Sequence, residues 1–155
     1  MERLTQLIYE DMKPALGVTE PGAIAFAVAT AKSHIQGTVQ QVDLRLNSGM
    51  YKNAFTCGIP GSDQVGNLHV AALGAVGADA EKGLECLDGI TAAQRQEAER
   101  MVADGRIHVS MAVPCLQAAG FRENPDSVTA FLFIENFRGQ NHWRAGGLIE
   151  IVTAQ

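Results

Sequence analysis

The chain has 155 residues, 46% of them apolar and 19% charged, with a formal net charge of −5. That length suffices for one buried core, while the 12 Lys and Arg residues are scattered through an acidic sequence, which excludes the basic footprint of a nucleic-acid-binding surface. No run of about 18 apolar residues occurs, and Met1-Glu2-Arg3 leads into an amphipathic segment rather than a signal-peptide core. A cytoplasmic protein with no membrane partner is expected.

Leu4, Leu7, Ile8 and Met12 recur at helical spacing, and Pro14 stops that helix. Thr19-Glu20-Pro21 opens a second, alanine-rich helix that runs through Ala23, Ile24, Ala27, Val28 and Ala31 to about Ile35, ahead of Gly37. Val42, Leu44 and Leu46 alternate with Asp43 and Arg45 as a half-buried strand. Phe55, Cys57 and Ile59 read as its antiparallel partner after a turn around Gly49. Asn67 to Gly77 is a small-residue helix, Ala80 to Leu87 a short one ended by Asp88-Gly89, and Thr91 with Gln94 forms a capping box for a helix closed at Asp104-Gly105. Ile107, Val109, Met111 and Val113 alternate again. Two last strands, Val128 to Ile134 and Leu148 to Val152, are joined by a loop through Gly139, Gly146 and Gly147. With helices gathered between strands rather than in repeated strand–helix–strand units, the pattern predicts one α+β domain over 1–155, its antiparallel or mixed sheet packed against Ala/Gly-rich helices.

The bend Lys13-Pro14-Ala15-Leu16-Gly17-Val18-Thr19-Glu20-Pro21 resembles the Gly-Cys-Thr-Glu-Pro signature of the L-cysteine desulfidase family, iron–sulfur lyases related to the bacterial L-serine dehydratases. Asn47-Ser48-Gly49-Met50-Tyr51-Lys52-Asn53-Ala54 with Gly58-Ile59-Pro60-Gly61-Ser62 resembles the Met-Lys-Asn and Val-Pro-Gly-Thr segment of that family. Ala71-Ala72-Leu73-Gly74-Ala75-Val76-Gly77 and Gly83-Leu84-Glu85 are similar to its next two blocks, in the same order. The resemblance covers about residues 10 to 90 and fades beyond Pro114-Cys115. It implies the N-terminal domain of such a lyase without the helical C-terminal domain that carries the cluster ligands. Val18 stands where the family has the cysteine taken as its catalytic thiol.

In the family the bound amino acid loses an α-proton and a β-substituent, sulfide or water, and the aminoacrylate formed goes on to pyruvate and ammonia. That chemistry needs a base, a seat for the carboxylate and an electrophile for the leaving group. The resemblance points to Thr19, Glu20, Lys52, Asn53 and Ser62 as substrate-binding residues. Read from residue type alone, Lys52 and Asn53 are a charge and an amide suited to a carboxylate, or a solvated turn lysine and a capping asparagine. Glu20 is a base or a first-turn partner of the helix dipole, and Thr19 a hydroxyl for catalysis or a helix cap. The glycines around Pro60 cradle an anion or make a plain tight turn. No catalytic residue is assigned, because a branched alkyl group at 18 neither abstracts a proton nor ligates iron.

Two functions follow. In one, the chain is the substrate-pocket part or small subunit of a β-eliminating lyase, inactive alone and working with a cluster-bearing helical subunit; in the other it is a non-catalytic small-molecule-binding or regulatory module derived from that family. A homo-oligomer and a small amino acid ligand fit both. An apolar docking patch is expected over the helix from Asn67 to Gly77.

Cys57, Cys86 and Cys115 are odd in number and contain no Cys-x-x-Cys pair, and His34, His69, His108 and His142 share no ligand spacing. Cys57 and Cys86 read as small buried hydrophobes, whereas Cys115, after Pro114 at a strand end, stays open as an exposed thiol. The purified chain is therefore expected to hold neither metal nor iron–sulfur cluster. Iron analysis after anaerobic reconstitution checks this: stoichiometric iron, lost when the three cysteines are replaced, is the contrary result.

Overall fold

A computed structural model describes residues 2–12, 14–34, 36–46, 48–111, 127–136 and 143–154. Among these residues the elements follow in the order α1 (Glu2–Asp11), α2 (Thr19–Ser33), β1 (Thr38–Leu46), α3 (Ser48–Asn53), α4 (Gly66–Val76), a 3-10 segment (Ala80–Glu85), α5 (Ala92–Ala103), β2 (Ile107–Met111), β3 (Ser127–Asn136) and β4 (Trp143–Ala154). The strands form one mixed sheet in the order β2-β1-β4-β3, with β1 and β2 parallel and the other pairs antiparallel. The α+β class and the mixed sheet agree with the sequence pattern.

Alternation along β1 turns Val42, Leu44 and Leu46 into the core, and Val39 is buried as well, three residues before Val42. A strict period of two forbids that pair. The register shift between Val39 and Gln41 against β4 resolves it, since a bulge inserts one residue and returns Val39 to the inner face. Arg106 braces the bulge: its guanidinium donates to the carbonyls of Val39 and, at 2.8 Å, of Gln40, and lies 3.9 Å from a Glu97 carboxylate oxygen.

Over the inner face lie α2 and α4, α4 against β1 and β2, α2 against β3 and β4. Both are apolar almost all the way round and correspondingly buried, α2 from Pro21 to Ala31 with few gaps and α4 from Val70 to Ala75. They cross closely because Gly74 has no side chain: a Cβ there would stand 2.8 Å from Val28 Cβ and 2.9 Å from the Ala25 carbonyl oxygen. On the far side of α4 packs α5, entered through the capping box of Thr91 and Gln94 that the sequence predicts. Cys86 is fully buried, its Sγ 3.6 Å from the Gly22 carbonyl oxygen, and burial pushes the thiol up from 9.0 to about 11.

Three sequence expectations are corrected. Phe55 to Ile59 does not pair with β1, whose neighbours are β2 and β4; residues 48–53 form α3 instead and the chain then enters a loop. Gly146 and Gly147 lie inside β4, opposite Phe133 and Leu132. The apolar patch expected over α4 is not seen among the described residues, where that helix is buried from Val70 to Ala75 and only Leu68, with Val65 at its N-cap, is exposed; the exposed apolar run is on α1, at Leu4, Leu7, Ile8 and Tyr9, with Met12 just after it. Lys13, Ile35, Asn47, Val113, Pro114, Cys115, Gly139 and His142 lie outside the described residues.

Gly74→Ala is expected to destabilise the fold by about 1–3 kcal/mol through overpacking, against the gain of up to about 1 kcal/mol that alanine brings to an open helix. Urea unfolding of the two proteins checks the sign. Cys86 is expected to resist thiol reagents in the native state at pH 8, and stability is expected to fall between pH 9 and 11, because the unfolded thiol ionises near 9.0 while the folded one holds its proton to about 11. Unfolding midpoints across that range, compared with Cys86→Ala, measure it.

Candidate functional site

The bend before α2 and the loop before α4 meet. Gly17 has φ +73°, and a Cβ on it would stand 3.0 Å from Pro60 Cγ, so backbone and neighbour both require glycine. The loop itself is closed at its base by the Gly66 amide donating to the Cys57 carbonyl at 3.0 Å and by the Gly58–Val65 bridge. At its tip the Ser62 amide donates to the Ile59 carbonyl at 3.1 Å, with Pro60 and Gly61 (φ +73°) at the central positions, which is the arrangement of a type II turn. Buried Ile59 anchors the tip, and Ser62 Oγ accepts the Gln64 amide at 3.1 Å.

Val18 is the N-cap of α2, in extended backbone, and gives no side-chain cap; its alkyl group is 49% exposed. Thr19 is therefore not the cap, as its residue type suggests, but the first helical residue, exposed, with its hydroxyl donating to Glu20 Oε2 at 3.3 Å. Glu20, half-buried, occupies the first turn, where a carboxylate complements the helix dipole. Lys52 is exposed in the last turn of α3, and Asn53, whose side chain is outside the described ones, ends that helix.

What ties α3 to α4 is a residue the sequence reading passed over. Asn67 is 2% exposed; its Nδ2 donates to the Tyr51 carbonyl at 3.3 Å, and its Oδ1 is buried without a partner among the described residues. Before it, Gly66 has φ +87°, and a Cβ there would stand 2.5 Å from the Phe55 carbonyl oxygen. An asparagine at the head of an otherwise apolar run was the available signal.

Ser62 lines an open polar groove of about 810 Å³ between the loop (Gly61, Ser62, Asp63, Gln64) and α5 (Ala92, Ala93, Arg95, Gln96, Glu99). Arg95 Nη1 donates to the carbonyls of Gly61 and Ile90, each at 3.0 Å, and Gln64 Nε2 donates to Glu99 Oε1 at 3.4 Å. The wall opposite Ser62 is thus α5, not α2 or α3. Of the sequence-derived residues, those at 17–21 and 60–62 are joined through the Gly17–Pro60 contact, while Lys52 stands at the end of α3. Arg95 was missed; its signal is a cation in the first helical turn, where the macrodipole disfavours one.

Among the described residues no group of three His, Cys, Asp or Glu is placed to hold a metal ion, and no helix is long and apolar enough to cross a membrane. His108 Nδ1 meets Asp43 Oδ1 at 3.0 Å across the β1–β2 pair, apart from the groove.

Over 110 residues the chain is 38% identical to the UPF0597 protein of Oleidesulfovibrio alaskensis, a match that takes in 71% of this chain and 26% of that protein. It is similar to UPF0597 proteins. With the UPF0597 protein YhaM of Salmonella gallinarum it shares 40% identity over 108 residues, 70% of this chain and 25% of the relative, and the same values hold for YhaM of Salmonella newport. The chain thus spans about a quarter of the length of the curated relatives it matches, and none of these three names refers to a cysteine desulfidase or a serine dehydratase. No family model and no solved structure matches.

Gly61→Ala and Gly66→Ala separate backbone strain from collision. Both force a positive φ on alanine, costing about 1–2 kcal/mol, but nothing lies within 4 Å of a Cβ at 61, whereas at 66 overpacking against the Phe55 carbonyl adds about 1–3 kcal/mol. Denaturant midpoints are expected to fall further for Gly66→Ala.

Proposed function

We propose that this chain is the substrate-facing part of an amino-acid β-eliminating lyase and works with a polypeptide that supplies the electrophile. The observation that carries the reading is the seating of Gly17 on Pro60, which joins the Thr19-Glu20-Pro21 helix start to the Pro60-Gly61-Ser62 turn as one surface. These are the blocks by which the sequence resembles the desulfidase family. The greater length of the UPF0597 relatives is consistent with a function divided between this part and another.

The described residues do not fit an iron–sulfur cluster. Cys86 is buried, with its thiol raised to about 11, Cys57 lies at the loop base, and no three-donor group occurs among the described residues. What the chain offers is binding: a polar groove beside Ser62, carboxylates and amides that orient an amino acid, and Glu20 on an exposed helix start as a group able to accept a proton.

A second reading, a binding or regulatory module without chemistry, is favoured by one observation, the exposed alkyl group of Val18 at the position of the family cysteine. The two separate in one assay. The chain is mixed with the part of the Salmonella relative that lies outside the matched region, and pyruvate is measured from L-cysteine and L-serine. Turnover only in the mixture, higher with Val18→Cys, is the lyase result; saturable binding with no pyruvate in any mixture is the module result. Val18→Cys alone is expected to stay at background, and activity from it alone contradicts the proposal.

A further inference from the structure

We infer that the groove between the 61–64 loop and α5 seats a small zwitterion, an α-amino acid whose carboxylate is held by Arg95 and whose ammonium is held by Glu99. This rests on the reading of the chain as an amino-acid-binding part. Ala92, Arg95 and Glu99 share one face of α5 at i, i+3 and i+7, and that face lines the groove across from Ser62 and Asp63.

Arg95 and Glu99 are four residues apart, a spacing at which opposite charges ordinarily pair. Among the described residues they do not pair. The guanidinium turns to the Gly61 and Ile90 carbonyls, both through Nη1, and the Glu99 carboxylate is met instead by the Gln64 amide. Their Cβ atoms stand about 5–6 Å apart along one helix turn, so that one small molecule carrying carboxylate and ammonium on a single carbon can reach both side chains. The planar guanidinium keeps donors on Nη2 and Nε for a carboxylate. Ser62 Oγ accepts the Gln64 amide through a lone pair and retains one hydrogen to donate. Ala92, without a long side chain, leaves the first turn of α5 open, where helix amides lack intrahelical partners. The cation in this turn, unfavourable for the helix alone, is accounted for by an anion that it shares with those amides.

The test is an amide chemical-shift titration of the whole chain with L-serine, L-serine methyl ester, which lacks the carboxylate charge, and L-lactate, which lacks the ammonium. Saturable shifts at the amides of Ser62 to Gln64 and Ala92 to Gln96 are expected with L-serine. Removing either charge is expected to weaken binding about tenfold or more, the worth of one charge-assisted hydrogen bond. Glu99→Gln, on an exposed helix surface, is expected to weaken L-serine similarly and leave L-lactate unchanged; Arg95→Lys, which loses the planar fork, is expected to weaken L-serine and leave the ester unchanged. Shifts confined to Thr19-Glu20 or Lys52 overturn the groove and leave the lyase reading standing. Equal affinity for all three ligands, or no saturable shift at either segment, overturns it as well. Groove binding with no pyruvate in the mixture assay upholds the groove and overturns the lyase reading.

Discussion

The crossing of α2 and α4 at Gly74 determines where both motif-bearing helix starts stand. With hydrogen in place of a side chain, Val28 and the Ala25 carbonyl come within contact of the α4 backbone. The two helices then pack as a unit over the sheet, and their N-termini are fixed relative to each other. Because the bend at Gly17 enters α2 and the loop at Pro60 leads into α4, this seam sets the distance between two segments that are 43 positions apart in sequence. Interiors at crystal-like density transmit such constraints with little slack. The α4–α5 packing extends the same chain of contacts to the groove, since α5 carries its far wall.

Around that frame the polar groups are placed by backbone geometry more than by side-chain choice. The type II turn aims the Gly61 carbonyl at Arg95, the loop base ties Cys57 to Gly66, and Asn67 links the first residues of α4 to the end of α3. Each link joins a helix terminus to a neighbouring carbonyl. The surface that results is polar and open, suited to a small, charged, well-hydrated ligand rather than to an apolar one.

Much of this was legible in the sequence, for identifiable reasons. The bounds of α5 follow from Thr91 and Gln94 at one end and Gly105 at the other, and those of α2 from Pro21 and the alanine run. The six residues of α3 are too few to show a period, and Ser48-Gly49 imitates a turn; the helix there is held by the Tyr51 carbonyl accepting from Asn67, a partner sixteen residues on. Gly146 and Gly147 read as loop residues, yet sit in β4 with its pairing to β3 and β1 on either side. Strand order was not legible, because alternation tells which face a residue takes but not which strand lies beside it. At the site, Gly17, Pro60 and Gly61 announce themselves by residue type. Arg95 does not, since an arginine in a polar helix resembles any solvated one until the Gly61 carbonyl is seen next to it.

The strand order also bears on how the chain acquires its shape. Thr38–Leu46 lies inside the sheet, yet its parallel neighbour begins at Ile107 and its antiparallel neighbour, the last strand of the chain, at Trp143, so both edges of the strand made first wait for distant segments. Such long-range pairings carry a high loop-closure cost and slow the rate-limiting step of folding. During synthesis the helices over its inner face can gather while β1 still shows two unpaired edges to the cell. The bulge at Val39–Gln41 is a register shift against β4, so it is set only when that last strand pairs, at a point on β1 that Arg106, just ahead of β2, holds through the Val39 and Gln40 carbonyls.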